Sequence, residues 1–378
     1  MLNVLHKSGQ LRPRLRGDSQ PERLSECRAW RLKLPLPWGR KNVKRFTVKK
    51  VGIKDIAADA GVSIATVSHA LRNPGRVAEA TREKVLAAAD RVGYTPNRLA
   101  ASLRTARSGN IVVIIPDVTD SFNSGIIGAI EKVAHKRGYS VLLGDTQGSV
   151  EREREFAAMT RSRQADGIIL MSHRLPFAAG TDKLPPIING CEFTGDKRVP
   201  LVAIDDIEAA RDATRHLLDN GHRRIAVITG DINSRSSRDR LRGFRQAMKK
   251  AGVAPVQSLI VQGAYSLTAG ERAAEQLLQQ KPRPTAVFCF SDDIALGCMY
   301  TLRRNGFDVP GDVSVIGFDD IPFARYSAPP LTTIAQPTEQ IGEACATLLF
   351  DRIEGVMSLE TKYILPHRLV LRDSTRPL

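Results

Sequence analysis

Residues 52–73, from Gly52 through Asn73, constrain the fold more than any other stretch of this chain. Ile53, Ile56, Ala57 and Ala60 recur at helical spacing and give a first short helix one apolar face. Gly61 permits the left-handed backbone of a sharp helix exit. Ser63 is suited to cap a second helix. In that helix Val67, Ala70 and Leu71 face the first, which turns Ile64, Ala65, Thr66, Ser68 and His69 outward. A helix with an apolar rear and a small or polar front suits the DNA major groove.

The following residues reinforce the reading. Thr81–Val92 is predicted to form a third helix with Val85, Ala89 and Val92 inward, ended by Gly93. Tyr94–Arg104 then reads as a basic helical segment begun by Pro96. Such a short helix is marginal alone in water. Pressed against DNA it could fold, with Leu103 as an apolar wedge in the minor groove.

The run Val62-Ser63-x-x-Thr66-Val67-Ser68, Asn73-Pro74 with Val77, Thr81-Arg82-x-x-Val85 and Gly93-Tyr94-x-Pro96-Asn97 together resemble the LacI family of bacterial transcription regulators. The resemblance extends to near Leu371. It implies a homodimer or tetramer, a hinge helix over 97–105 and an effector-binding core. The organisation expected is a basic extension (1–50), an all-α helix-turn-helix domain (51–96), a hinge helix and linker (97–109) and an α/β two-lobed periplasmic-binding-protein-like core of parallel sheets (110–378). By the resemblance, lobe 1 comprises about 110–206 and 336–356, and lobe 2 about 207–335 and 357–378.

Charge separates the same parts. Residues 1–50 carry 14 Lys/Arg against 3 Asp/Glu, residues 51–110 carry 9 against 5, and the rest carries 33 against 32. The positive field therefore lies at the DNA-binding end, beside a nearly neutral body suited to a small molecule. A sustained amphipathic helix for a membrane surface is missing from the basic end. Residues 1–50 show no periodicity; they read as a disordered basic arm or a translation start assigned too early, the second being favoured. Five cysteines without a Cys-x-x-Cys or Cys/His cluster fit a reducing cytoplasm and give no metal site. Neither a secretory h-region nor an apolar run of membrane-spanning length is present.

From Ile111 onward, apolar β-branched runs alternate with helical stretches. Strand candidates are 111–115, 140–143, 167–171, 186–188, 202–204, 224–228, 258–261, 286–290 and 314–318. About ten such strands imply parallel sheets in two α/β lobes with a cleft between them.

Ligands bind beyond the C-terminal ends of such strands. The loops there supply the candidate effector-binding residues Asp120, Phe122, Asn123, Ser236, Arg240, Tyr265, Ser291, Asp292 and Asp319. Carboxylates and a guanidinium form paired hydrogen bonds to vicinal hydroxyls, and rings stack on a sugar or base. Asp206 and Asp293 are instead assigned as helix N-caps. The resemblance places Phe122, Arg240, Asp292 and Asp319 at usual effector positions. Cys191-Glu192 stands where many members carry Asp-Arg, so a contact from that loop is not carried over.

Candidate DNA contacts are Lys54, Arg72, Arg98 and Arg104 to phosphates and Ile64, Ala65 and His69 to base edges. Ser63, Thr66, Ser68, Asn97, Ala100 and Leu103 complete the expected DNA-binding set. The operator would be a pseudo-palindrome of double-stranded DNA. Ser172–Phe177, Thr285–Asp292 and Ala328–Pro337 resemble the cytidine-responsive, nucleoside branch, while His69 and the run from Pro284 are similar to purine-responsive members. The effector order is thus nucleoside, then ribose or another sugar, then purine base. An enzyme on nucleosides is disfavoured: the chain has no Gly-rich phosphate loop and no Gly-x-Ser-x-Gly elbow. No cofactor is expected. A transport-type binding protein is opposed by the basic head and missing export signal.

Overall fold

The computed structural model describes residues 51–72, 74–94, 107–178, 180–356 and 360–378. They fall into two units divided after Thr95.

The first unit is three helices, α1 (Ile53–Ala60), α2 (Ile64–Arg72) and α3 (Glu79–Arg91). Asp55 accepts the Gly52 amide at 2.8 Å and so closes the start of α1. Gly61, at φ 62°, makes the left-handed exit. Ile56, Ala57, Ala60, Val67, Ala70, Val85, Ala88 and Ala89 form the core, with Leu71 and Val92 packed at its edge. Arg91 reaches Asp59 at 2.7 Å and ties α3 to α1.

The second unit holds two six-stranded sheets. The first comprises β1 (Asn110–Ile115), β2 (Ser140–Asp145), β3 (Ile168–Leu170), β4 (Ile187–Gly190), β5 (Leu201–Ile204) and β11 (Lys362–Leu365), in the spatial order β11-β5-β4-β3-β1-β2. The second comprises β6 (Ile225–Ile228), β7 (Ile260–Val261), β8 (Ala286–Cys289), β9 (Ser314–Asp319), β10 (Thr332–Ala335) and β12 (Arg368–Val370), in the order β12-β10-β9-β8-β6-β7. All neighbours are parallel except β12, which runs antiparallel to β10. β1, β3, β4, β8 and β9 are buried along nearly their whole length, as expected of strands covered on both faces.

Helices α4 (Ser121–Lys136), α5 (Val150–Arg161) and α11 (Thr338–Ile353) cover the first sheet. Helices α6 (Asp206–Asp219), α7 (Arg235–Lys250), α8 (Leu267–Leu278) and α9 (Asp292–Arg304) cover the second, and the short α10 (Pro322–Tyr326) follows β9. Loops at the C-terminal ends of most parallel strands, among them those after β1, β3, β4, β6 and β9, converge on the cleft between the two sheets.

The chain crosses between lobes three times. Two crossings, after β5 and after β10, lie near the expected 206 and 335. The third falls between Leu365 and Arg368, not near 357: Lys362–Leu365 pairs in parallel with Leu201–Ile204 and so belongs to the first lobe. The strand total also exceeds the sequence reading. β11 alternates in exposure, β12 has three residues of which the first is Arg368, and β10 is Thr-rich, so none of the three carries an apolar run.

Candidate DNA-binding face and effector cleft

The face of α2 is set by its cap. Ser63 Oγ accepts the Thr66 amide at 3.0 Å, and the two hydroxyls meet at 2.9 Å. Val67 and Ala70 are buried behind it, while Ile64 (44% exposed), Ala65 and His69 stand out to solvent. Thr66 and Ser68 are half-buried at the sides of the face, and Lys54 is exposed on α1. Ser63 and Thr66 are thus engaged with each other as the helix start. The side chain of Arg72 and residues Asn97, Arg98, Ala100, Leu103 and Arg104 lie outside the described set, as do residues 1–50.

Between the lobes of the second unit lies a cavity of about 240 Å³. Seven expected residues line it: Asp120, Phe122, Asn123, Ser236, Arg240, Tyr265 and Asp319. Asp120 caps α4, accepting the Phe122 amide at 2.9 Å. Burial pushes its carboxyl up to about 6. Phe122 packs against apolar clusters of both lobes and so spans the cleft. Asn123 is buried and donates to the Asp117 carbonyl at 3.3 Å.

Arg240 is the organising cation. It is 5% exposed. Its Nε donates to Asp206 at 2.8 Å and one terminal nitrogen to the Phe290 carbonyl at 2.5 Å. The Asp319 carboxylate lies 4.0 Å from the guanidinium, which rests 3.6 Å over the Phe318 ring. Gln336 donates to Asp319 at 2.8 Å. Asp319 adopts φ 116°, a left-handed conformation that re-aims its side chain at the end of β9. Burial raises the carboxyls of Asp319 and Asp206, the latter to about 6, while Arg240 opposes the rise in both.

Tyr265 donates or accepts at Ser237 Oγ (2.7 Å) and Ser236 Oγ (3.3 Å). A Cβ on Gly230 would clash with three carbons of the Tyr265 ring, so this glycine is what lets the ring lie against the β6 loop.

Ser291 and Asp292, expected at the cleft, do not line it. Ser291 caps α9 through the Ile294 amide (3.2 Å). Asp292 is fully buried and accepts the Thr333 hydroxyl at 2.6 Å and the Ile321 amide at 2.9 Å, tying β10 and the β9 loop to α9. Burial pushes its carboxyl up to about 7. Two cap assignments are also corrected. Asp205, not Asp206, caps α6, which frees Asp206 to pair with Arg240. Ser291, not Asp293, caps α9.

Several lining residues stand outside the effector-binding set expected from the sequence. Arg174 reaches the cavity from the β3 loop, its Nε and one terminal nitrogen donating to the buried Glu153 (3.1 Å each) and that same terminal nitrogen to the Gly148 carbonyl (2.8 Å). Ser172 donates to the same Glu153 at 2.7 Å. Glu192, Asp206, Asp231, Ser234 and Gln336 line it too. Their signal was available: each follows a strand end or a crossing. Among the described residues no group of His, Cys, Asp and Glu is placed to hold a metal, and no helix is long and apolar enough to cross a membrane.

Comparison with known proteins agrees with this division. The profile of bacterial regulatory proteins, lacI family, matches residues 52–97, and that of the periplasmic binding protein-like domain matches 214–375. The HTH-type transcriptional repressor CytR of Escherichia coli (strain K12) is 40% identical over 329 residues, covering 86% of this chain and 96% of its own length. The HTH-type transcriptional repressor PurR of Vibrio vulnificus (strain CMCP6) is 34% identical over 342 residues, covering 86% and 99%. The lac repressor dimer bound to operator and the anti-inducer ONPF superposes with a TM-score of 0.77 at 29% identity, covering 87% of this chain and all of that one. A helix-turn-helix head, a two-lobed core with a lined cleft and these relatives together establish that the chain belongs to the LacI family and is an effector-responsive, DNA-binding transcriptional regulator.

Proposed function

We propose that this regulator is a repressor whose cleft takes a neutral nucleoside-like or sugar effector, and that the ligand sets the grip of a homodimer on a pseudo-palindromic operator. The carrying observation is the composition of the cavity: carboxylates from both lobes around one buried guanidinium, with Phe122 and Tyr265 as rings. Vicinal hydroxyls suit the Asp120–Arg240–Asp319 set, and a base or sugar face suits the rings. At about 240 Å³ the cavity sits near the small end of ligand sites, commonly about 300–1,000 Å³, which favours one nucleoside or monosaccharide over a disaccharide. The greater identity to CytR than to PurR supports the nucleoside class over a free purine base.

In a dimer the exposed faces of two α2 helices would enter successive major grooves about one turn apart, with Ile64, Ala65 and His69 toward bases and Lys54 toward phosphate. A wedge at Leu103 within a hinge helix would link the core to the bend of the site. Closure of the cleft can shift DNA affinity only if the ligand binds the two states unequally. We take the site of action to be the cytoplasm and the regulator to act without catalysis.

Titration calorimetry of the full chain with cytidine, adenosine, hypoxanthine and ribose tests this directly. Saturable heat with cytidine or another nucleoside, lost in Arg240→Ala and Asp319→Ala, is expected. Heat unaltered in both variants would move the site elsewhere.

A further inference from the structure

Cys191, at φ 64°, turns the chain so that Glu192 reaches across the cleft from the β4 loop of the first lobe. One Glu192 carboxylate oxygen accepts the Arg235 amide at 3.1 Å, and the other accepts the Ser236 hydroxyl at 2.5 Å. Arg235 is the first residue of the 16-residue α7 in the second lobe. A helix start of this kind, aimed into a cavity, is where an anion would otherwise be held by backbone N–H groups. Here the protein's own carboxylate has taken the place. Further along the turn, the Ser237 amide donates to the Ser234 hydroxyl (3.1 Å) and the Arg238 amide to the Ser234 carbonyl (3.4 Å).

Both cations of the cavity are committed as well. Arg240 is held by Asp206, Asp319 and the Phe290 carbonyl, and Arg174 by Glu153 and the Gly148 carbonyl. Against these two guanidinium groups the wall presents five carboxylates: Asp120, Glu192, Asp206, Asp231 and Asp319. Among the described lining residues, a phosphate entering this space meets these acidic groups and two guanidinium groups that are each already paired with a carboxylate.

We propose that Glu192 is the specificity-determining residue of the cleft: by occupying the start of α7 and committing Ser236, it excludes phosphorylated forms of the effector and admits the neutral compound. The discrimination of a nucleoside from its monophosphate is thus built by a repulsive element, not only by a favourable fit. Glu192 also acts as a positioning residue, since its short bond to Ser236 fixes the hydroxyl that meets Tyr265. The inference rests on the cleft being the effector site.

The test uses the full-length protein, Glu192→Gln and Glu192→Ala, with two kinds of probe. Cytidine and cytidine 5′-monophosphate are titrated calorimetrically, and inorganic phosphate is titrated separately by ³¹P line broadening. The wild type is expected to prefer the nucleoside by at least about 100-fold and to leave phosphate unbroadened. Both variants are expected to narrow that preference at least about tenfold by gaining monophosphate affinity, and Glu192→Ala to bind phosphate. A gain of binding by the near-isosteric Gln variant separates this role from a purely structural one. A preference unchanged in both variants, or a wild type that takes the monophosphate as readily as the nucleoside, overturns the proposal. If no nucleoside binds any form, the effector reading fails, and the phosphate arm still decides Glu192: no phosphate binding by Glu192→Ala refutes it.

Discussion

Replacing Arg240 by Met keeps the aliphatic stem and removes the charge. The guanidinium and the Asp206 carboxylate it pairs with are only 6% and 11% exposed, so solvent cannot take over for either partner. Breaking a buried pair from one side costs about 3–5 kcal/mol, because the remaining charge is left uncompensated. For a core of about 270 residues that corresponds to a fall in melting temperature of roughly 5–10 °C. The loss should depend on pH. Burial holds Asp206 near 6, above its ordinary 3.8, while Arg240 pulls it down. A carboxyl raised on folding contributes stability that is complete below its unfolded value and disappears as pH rises through its folded value. Without Arg240 the folded value rises further, so acid restores more stability to the variant than to the parent. Calorimetric melting at pH 7.5 and 5.5 reads this out. The deficit of Arg240→Met should be largest at pH 7.5 and shrink at pH 5.5. A deficit below about 1 kcal/mol, within the range of exposed pairs, or one that does not shrink on acidification, would show that the pair is not the buried brace described here.

Gly230→Ala should weaken effector binding while leaving operator binding by the unliganded protein intact, because the added methyl displaces the Tyr265 ring; equal calorimetric affinity would mean the ring is not part of the site. Effector affinity should fall as pH drops below about 6, where Asp120 and Asp206 gain protons and lose acceptor capacity, and a flat profile from pH 7.5 to 5 would contradict a role for them. Lys54→Ala should weaken binding to all duplexes alike and lower the salt slope by about one, as loss of a phosphate contact does. His69→Ala should instead relax preference at one base-pair position, by about 1–3 kcal/mol, with the other positions unchanged in a selection experiment.

The head was legible because its helices are short, local and strongly patterned: Ile56, Ala60, Val67 and Val85 each fall where periodicity puts them inside. The core strands that are apolar throughout were equally readable. β10, β11 and β12 were not, since their place depends on pairing across the fold, β11 with β5 about 160 residues earlier and β10 with both β9 and β12, and not on a pattern of their own. In the cleft, strand-end loops pointed to Asp120, Arg240 and Asp319, and the geometry brings them together. The rule could not separate Asp292, whose side chain turns inward to Thr333, from Asp319, whose left-handed backbone turns it toward Arg240. Nor could it tell which of Asp205 and Asp206 caps α6. Arg174 was noticed for the run around it, and its role emerged only with Glu153 behind it.

The coupling of cleft to head is tested most directly by fluorescence anisotropy of a labelled duplex, selected from a random library for tight binding, titrated with the full-length regulator at fixed salt. Addition of the calorimetrically identified effector should change the operator dissociation constant by at least about fivefold, the low end of ordinary allosteric coupling. Arg240→Ala should hold the duplex but fail to respond. An operator affinity indifferent to every ligand that fills the cleft would contradict the regulatory role given to the core.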